Sequence, residues 1–292
     1  MREPGSADGH IGAHTGGQSD LSNDPGAVFG DHAWVADGLP APGGGRRPHR
    51  LLRAIRRAAA VVAALCLLGI AGFGVLLGVT PSAGNAWDLV AAQDRAHHAV
   101  YPGPPVPARF AESLIATEDH RFRAEPGIDP FAIGRVTLAK LTGGGDQGGA
   151  TLYQQLAKLL YTPAGAGIGA KADQVALAVK LDLTYGKAQI LQMYADVAYF
   201  GHGFYGLAAA SCGYFGQRPA QLSWAQAAML AGLVLEPSAD NPLDHPARAR
   251  AREAHVLGRL VATRTLSGPR AAAAFAQPIS RLVTQAGSGC GA

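Results

Sequence analysis

Cysteine is scarce: three residues in 292, too few for the disulfide framework of a small secreted domain. Cys66 falls inside an apolar run. That leaves Cys212 and Cys290 as a possible pair, beside the alternative of one buried and one loose thiol. No Cys/His spacing matches a zinc site. Sustained apolar/polar alternation is also missing, which argues against a strand-built domain. Residues 81–292 lack a surplus of either charge, with 18 Lys/Arg against 15 Asp/Glu, a balance too even to point to nucleic acid.

What is present is apolar: 48% of the chain, enough for a substantial core. From Ala58 to Thr80, "AAAVVAALCLLGIAGFGVLLGVT" runs 23 residues without a charge, long enough at the helical rise to cross about 30 Å of hydrocarbon. The preceding "RRPHRLLRAIRR" carries six arginines and no acid, the mark of a cytoplasmic flank. Such a cluster also suits anionic headgroups. The expected placement is a single-pass protein of the cytoplasmic membrane, with its amino terminus inside and its main domain outside. A signal peptide cleaved near Ser82 or Gly84 is the competing reading, but its apolar core would be shorter and closer to the start. Residues 1–45, rich in Gly, Pro, Ala, Asp and His, cannot bury enough surface to offset the ordering entropy. The expected organisation is therefore a disordered, Arg-ended tail over 1–57, a transmembrane helix over 58–80, a connector over 81–104 and a domain over 105–292.

Helical spacing dominates that domain. Apolar residues recur at positions three and four apart in "FAESLIATEDHRF", "ATLYQQLAKLLY" and "ADQVALAVKLDLTYGKAQILQMYADVAYF". "LSWAQAAMLAGLVL" offers Ser223 as an N-cap, and "PARARAREAHVLGRLVATRTL" reads as an amphipathic helix with arginines on its outer face. The glycine runs "LTGGGDQGGA" and "TPAGAGIGA" read as mobile loops, the first a candidate gate.

Two segments carry chemistry. "ATEDHRF" sets two adjacent carboxylates, Glu118 and Asp119, at a helix end; at most one can face a given substrate atom, and His120 diverges too far to share a metal with them. In "GGATLYQQLAK", a helix starting near Thr151 would put Thr151, Gln154 or Gln155, and Lys158 on one stripe. A hydroxyl, an amide and a cation beside glycine amides suit a phosphate or sugar ligand. Each segment alone also reads as a solvated polar face.

In order and spacing, "EDHRFRAEPGID", "GGATLYQQLAK", "KAQILQMYADVAYFGHGFYGLAAASCGYFG" and "LSWAQAAMLAGLVLEPSADNPLDHPARARAREAHVL" resemble the bacterial peptidoglycan glycosyltransferases. That family comprises the transglycosylase domain of class A penicillin-binding proteins and their monofunctional relatives. The resemblance implies a mainly α, lysozyme-like domain behind a single N-terminal transmembrane helix. It also implies polymerisation of lipid II into a growing glycan strand with release of undecaprenyl pyrophosphate. On that reading Glu118 matches the base and Asp119 its partner, while Arg121, Thr151, Gln154, Gln155 and Lys158 match positions lining the donor and its phosphates. No cofactor is required; a divalent metal at the pyrophosphate is an option that no carboxylate cluster demands. The implied partners are the membrane and a transpeptidase or other cell-wall synthesis proteins, since about thirty residues after the last block leave no room for a transpeptidase domain.

Departures from the pattern are equally specific. Glu125 stands at the family's His position, and "AKADQ" aligns with its R-K-x-x-E, keeping Lys171 but placing Ala170 for Arg and Gln174 for the second Glu. Gln192 and Gln226 stand where the family has glutamates. An amide still hydrogen-bonds but carries no charge. Three readings follow: a working glycosyltransferase using Glu118, with Asp173 or Asp182 as substitutes for the lost acid; a homologue that binds lipid-linked glycan without polymerising it; and a glycan-cleaving enzyme with protonated Glu118 as the acid.

Overall fold

The computed structural model describes residues 48–129, 142–143 and 150–278, and the chain divides into two units, Met1–Arg57 and Ala58–Ala292. Residues 48–57 of the first unit are helical; the expected disordered tail otherwise lies outside the described residues. Helix α1 (Pro48–Val79) contains the apolar run, and none of its most apolar window is buried in protein. It is long and apolar enough to cross a membrane.

The second unit is helical throughout, with no strand among the described residues beyond an isolated bridge between Tyr199 and Tyr205. This is the mainly α, lysozyme-like class the sequence implied. After a short 3-10 turn (Ala83–Asn85) come α2 (Ala86–Ala96), α3 (Ala108–Glu118), α4 (Leu152–Tyr161), α5 (Gly167–Thr184) and α6 (Lys187–Val197). They are followed by α7 (Leu207–Phe215), α8 (Trp224–Leu233), α9 (Pro246–Ala262) and α10 (Gly268–Phe275).

Residues 81–104 are more than a connector. Their middle forms α2, whose Ala86 and Val90 enter the core and which packs on α6. The glycines of "TPAGAGIGA" do not make one continuous loop either, because α5 begins at Gly167. "LTGGGDQGGA" lies almost wholly outside the described residues.

The organising element is α8. Ala225, Ala227, Ala228, Ala231 and Gly232 let neighbours approach closely, and every residue from Ala225 to Leu233 is buried. A helix apolar all round belongs in a core. It packs against α3 on one flank and α9 on the other, and α3 also touches α9. Where α8 meets α9, a Cβ on Gly232 would lie 3.1 Å from that of Arg252. A second layer joins α4 to α5 and α6. Phe110, Phe122, Tyr153, Phe200 and Tyr214, each exposed by 1% or less, fill the interior with aromatic bulk.

Capping fixes where the helices begin. Ser223 forms the expected N-cap, its Oγ accepting from Gln226 N at 3.2 Å while Gln226 Oε1 accepts from Ser223 N at 2.9 Å. Thr151 and Gln154 repeat this reciprocal box at α4. The arginines of α9 do not all face outward: Arg259 Nε donates to Ala116 O at 3.1 Å, satisfying a carbonyl in the last turn of α3. That bond ties the helix carrying Glu118 to α9.

Candidate active site

Glu118 is the last residue of α3 and Asp119 its C-cap. Their adjacency separates their tasks. Asp119, 7% exposed, turns inward, and its Oδ2 accepts from the Leu152 N–H at 2.9 Å, one of the orphan donors opening α4. A carboxylate at a helix N-terminus is favoured by the dipole as well as by the bond. The half-buried Glu118 instead receives Gln155 Nε2 on its Oε2 at 3.1 Å.

Gln155 is itself held. Its Oε1 accepts from the hydroxyl of buried Tyr194 at 2.8 Å, which fixes the orientation of the amide and aims its N–H at Glu118. Tyr194, Gln155 and Glu118, from α6, α4 and α3, thus form a relay ending on the carboxylate. Burial raises the Glu118 carboxyl above the usual range; the Gln155 bond and the Arg252 charge pull it back, and Asp119 pushes it up. The result is a carboxyl group whose proton affinity lies above that of a free glutamate.

Arg252 is the residue that sequence reasoning missed. Its Nε donates to Gly232 O at 3.2 Å and lies 3.5 Å from Asp240 Oδ2, a geometry that holds its charge beside Glu118. Being one of several arginines in an amphipathic run, it carried no sequence signal. The small residue at Gly232, which admits Arg252 against α8, was the available clue.

The expected stripe on α4 is divided. Thr151 Oγ1 donates to Gly127 O at 2.7 Å and accepts from Gln154 N at 3.2 Å, while Gln154 Oε1 accepts from Thr151 N at 3.1 Å. Both side chains are buried in the cap. Gln155 faces Glu118, and Lys158 is exposed. Gly127 (φ +75°) allows this arrangement because a Cβ there would lie 2.7 Å from Ala178 O. Arg121 Nε lies 3.7 Å from Asp129 Oδ2 at the rim of the same loop.

The α5 positions are separate from the relay. Lys171 is exposed, and buried Gln174 donates from Nε2 to Thr162 Oγ1 at 3.1 Å. Asp182, weighed as a substitute acid, lies 3.9 Å from Lys187 Nζ. The other two amides at family glutamate positions use what an amide offers. Gln226 accepts in the α8 cap, as a carboxylate could. Gln192 Nε2 donates to Pro104 O at 3.2 Å and to Asp196 Oδ1 at 2.8 Å, which a carboxylate could not do. Cys212 is disulfide-bonded; Cys290 lies outside the described residues.

Among the described residues no three His, Cys, Asp or Glu side chains gather as metal ligands.

The site is thus one supported carboxylate, Glu118, at the junction of α3 with α4 and within reach of the Arg252 charge on α9. The chain belongs to the Transglycosylase family, whose sequence profile matches residues 87–261. A Cupriavidus necator chain carrying the name transglycosylase is 34% identical over 174 residues, covering 60% of this chain and 75% of that one. Penicillin-binding protein 1A of Haemophilus influenzae is 36% identical over 175 residues, covering 60% of this chain but 20% of its own length. The crystal structure of that protein superimposes over 34% of this chain and 15% of its own with a TM-score of 0.33, at 34% identity. The chain thus spans about a fifth of that relative and three quarters of the first.

Proposed function

We propose that the chain is a membrane-anchored, monofunctional peptidoglycan glycosyltransferase that polymerises lipid II and releases undecaprenyl pyrophosphate. The observation that carries this reading is the relay from Tyr194 through Gln155 to Glu118, which orients a carboxylate whose proton affinity burial has raised. The acceptor's 4-hydroxyl attacks the anomeric carbon of the lipid-linked donor. Its proton passes to Glu118, the new C–O bond forms with inversion, and the electron pair of the breaking bond leaves on the pyrophosphate. Lys158, Lys171 and Arg121 supply cations for the departing phosphates, and the Arg252 charge favours the ionised form of Glu118 against its burial.

In this reading α1 spans the cytoplasmic membrane with its arginine flank inside, so that enzyme and lipid-linked substrates share one surface. A transpeptidase acting on the product is the partner the chemistry calls for. Support comes from the family membership, from the apolar α1 and from the retained base.

A second reading has its own observation. Gln174 is an amide bonded to Thr162, with no charge to offer a substrate, which favours a homologue that binds lipid-linked glycan without joining it. Incubating the detergent-solubilised chain with lipid II and resolving the products on a gel separates the two. Polymer that vanishes in Glu118→Gln supports the enzyme; saturable lipid II binding with no polymer supports the binding homologue.

A further inference from the structure

Glu125 lies in the loop after α3 and is 4% exposed, and neither of its carboxyl oxygens meets a protein donor. An ionised carboxylate buried without a donor is costly. Its acidic neighbours make the cost worse: the Asp119 carboxyl acts on it through a side-chain hydrogen bond and through its charge, and Asp129 adds a further negative charge. Two carboxyl oxygens in contact can bond only when one carries a proton.

The surroundings decide which one carries it. Asp119 accepts the Leu152 N–H at the positive end of α4, a bond that rewards its ionised form. No comparable donor reaches Glu125. Lys187, from α6, donates hydrogen bonds to the Glu125 backbone oxygen at 2.8 Å, not to the carboxyl, and to the Tyr153 hydroxyl at 3.2 Å. Its charge also lies over the Phe122 and Tyr153 rings and 3.9 Å from Asp182 of α5. The groups around Glu125 are therefore Asp119 and Asp129 from its own loop, Tyr153 from α4, Lys187 from α6 and Asp182 behind Tyr153.

We propose that Glu125 is kept as a neutral carboxylic acid that donates a hydrogen bond to Asp119, making it a positioning residue for the catalytic carboxylate. The bond acts through Asp119, which pins the end of α3 to the start of α4 and thereby sets where Glu118 points. Burial, followed by the Asp119 contact, pushes the Glu125 carboxyl up to about 8. Ionisation above that pH would set two negative charges against each other at the residue next to Glu118. A single proton thus satisfies an otherwise orphaned buried group and steadies the base.

The decisive experiment is infrared difference spectroscopy of the full chain in detergent, native minus Glu125→Gln. At neutral pH the native protein should show a carboxylic C=O band that the variant lacks, and the band should disappear as pH rises through about 8. Asp119→Asn, which keeps an acceptor but removes the neighbouring charge, should move that disappearance to lower pH. Absence of the band, or a midpoint unmoved in Asp119→Asn, overturns the proposal.

Thermal unfolding gives a second reading without activity. An acid whose folded pKa is raised binds more protons folded than unfolded, so the stability it contributes falls as pH rises from about 5 to 9. The native melting temperature should therefore decline relative to Glu125→Gln over that range, and parallel curves count against the idea. The kinetic arm rests on the proposed function: polymerisation should fall above about pH 8 in the native chain and persist there in Glu125→Gln, whose amide keeps a donor. Spectral and thermal effects without polymer would sink the function and leave this inference standing; polymer with identical pH profiles and no band would do the reverse.

Discussion

Two regions that the sequence ties to one site are built differently. At the junction of α3 with α4, charge is retained and supported: Glu118 accepts from Gln155, Asp119 from Leu152 N, and the Arg252 charge on α9 acts on Glu118. On α5 the position aligned with a second acid holds Gln174, bonded to Thr162, and Lys171 is exposed. The contrast teaches that a buried carboxyl group is favoured in its ionised form where other elements supply donors and a countercharge. Where they do not, an amide fills the same volume without the desolvation cost.

The hardest blow to the supported region is Glu118→Gln, which removes the proton acceptor. Polymerisation should drop by about 10²–10⁴, while lipid II binding measured in parallel stays within a few-fold. Equal activity would leave the junction without a catalytic role.

Gln155→Leu comes next. It deletes a bond to the ionised form of Glu118, so the carboxyl pKa rises and the acidic limb of the pH–rate profile moves to higher pH, with about a tenfold loss near neutrality. A limb that stays put would mean Gln155 only packs. Tyr194→Phe should act in the same direction through the amide, by about three- to tenfold, and the Gln155→Leu/Tyr194→Phe double variant should lose no more than Gln155→Leu alone.

The smallest effect tests the other side of the contrast. Gln174→Glu buries an acid whose hydroxyl partner can turn to donate to it, so melting should fall by the equivalent of about 1 kcal/mol. Polymer yield should change less than about threefold. A large gain would show that the α5 region still limits the reaction and would reverse the ranking of the two regions.

Much of this was legible in the residues. The apolar run, the α8 cap at Ser223 and the start of α4 at Thr151 follow from local rules, and the structure reproduces them. Glu118 drew notice through its adjacency to Asp119 and through the resemblance of its block to a known family, and the structure places it at the end of α3. Helix α2 was missed because Pro and Gly flank it on both sides, yet Ala86 and Val90 need only one apolar stripe to dock. The burial of Thr151 and Gln154 was hidden because a capping box and a ligand-binding face use the same residue types. Arg252 was hidden because an arginine stem can pack inward while its run reads as solvated. None of these follows from spacing on one helix; each depends on what a second helix brings.

The exit of α1 offers a last consequence. Thr80 Oγ1 bonds back to Leu76 O, Lys180 Nζ donates to both Thr80 O and Pro81 O, and the hydroxyls of Tyr161 and Tyr185 both reach Ala83 O. Four of these five bonds fasten the residues just past the apolar helix to Tyr161 of α4, Lys180 of α5 and Tyr185 at its end. If α1 sits in a bilayer as proposed, the height of Glu118 above the headgroups is a machined dimension, like a print head fixed over its paper. A lipid-borne ligand would then meet the carboxylate at one set height above the surface.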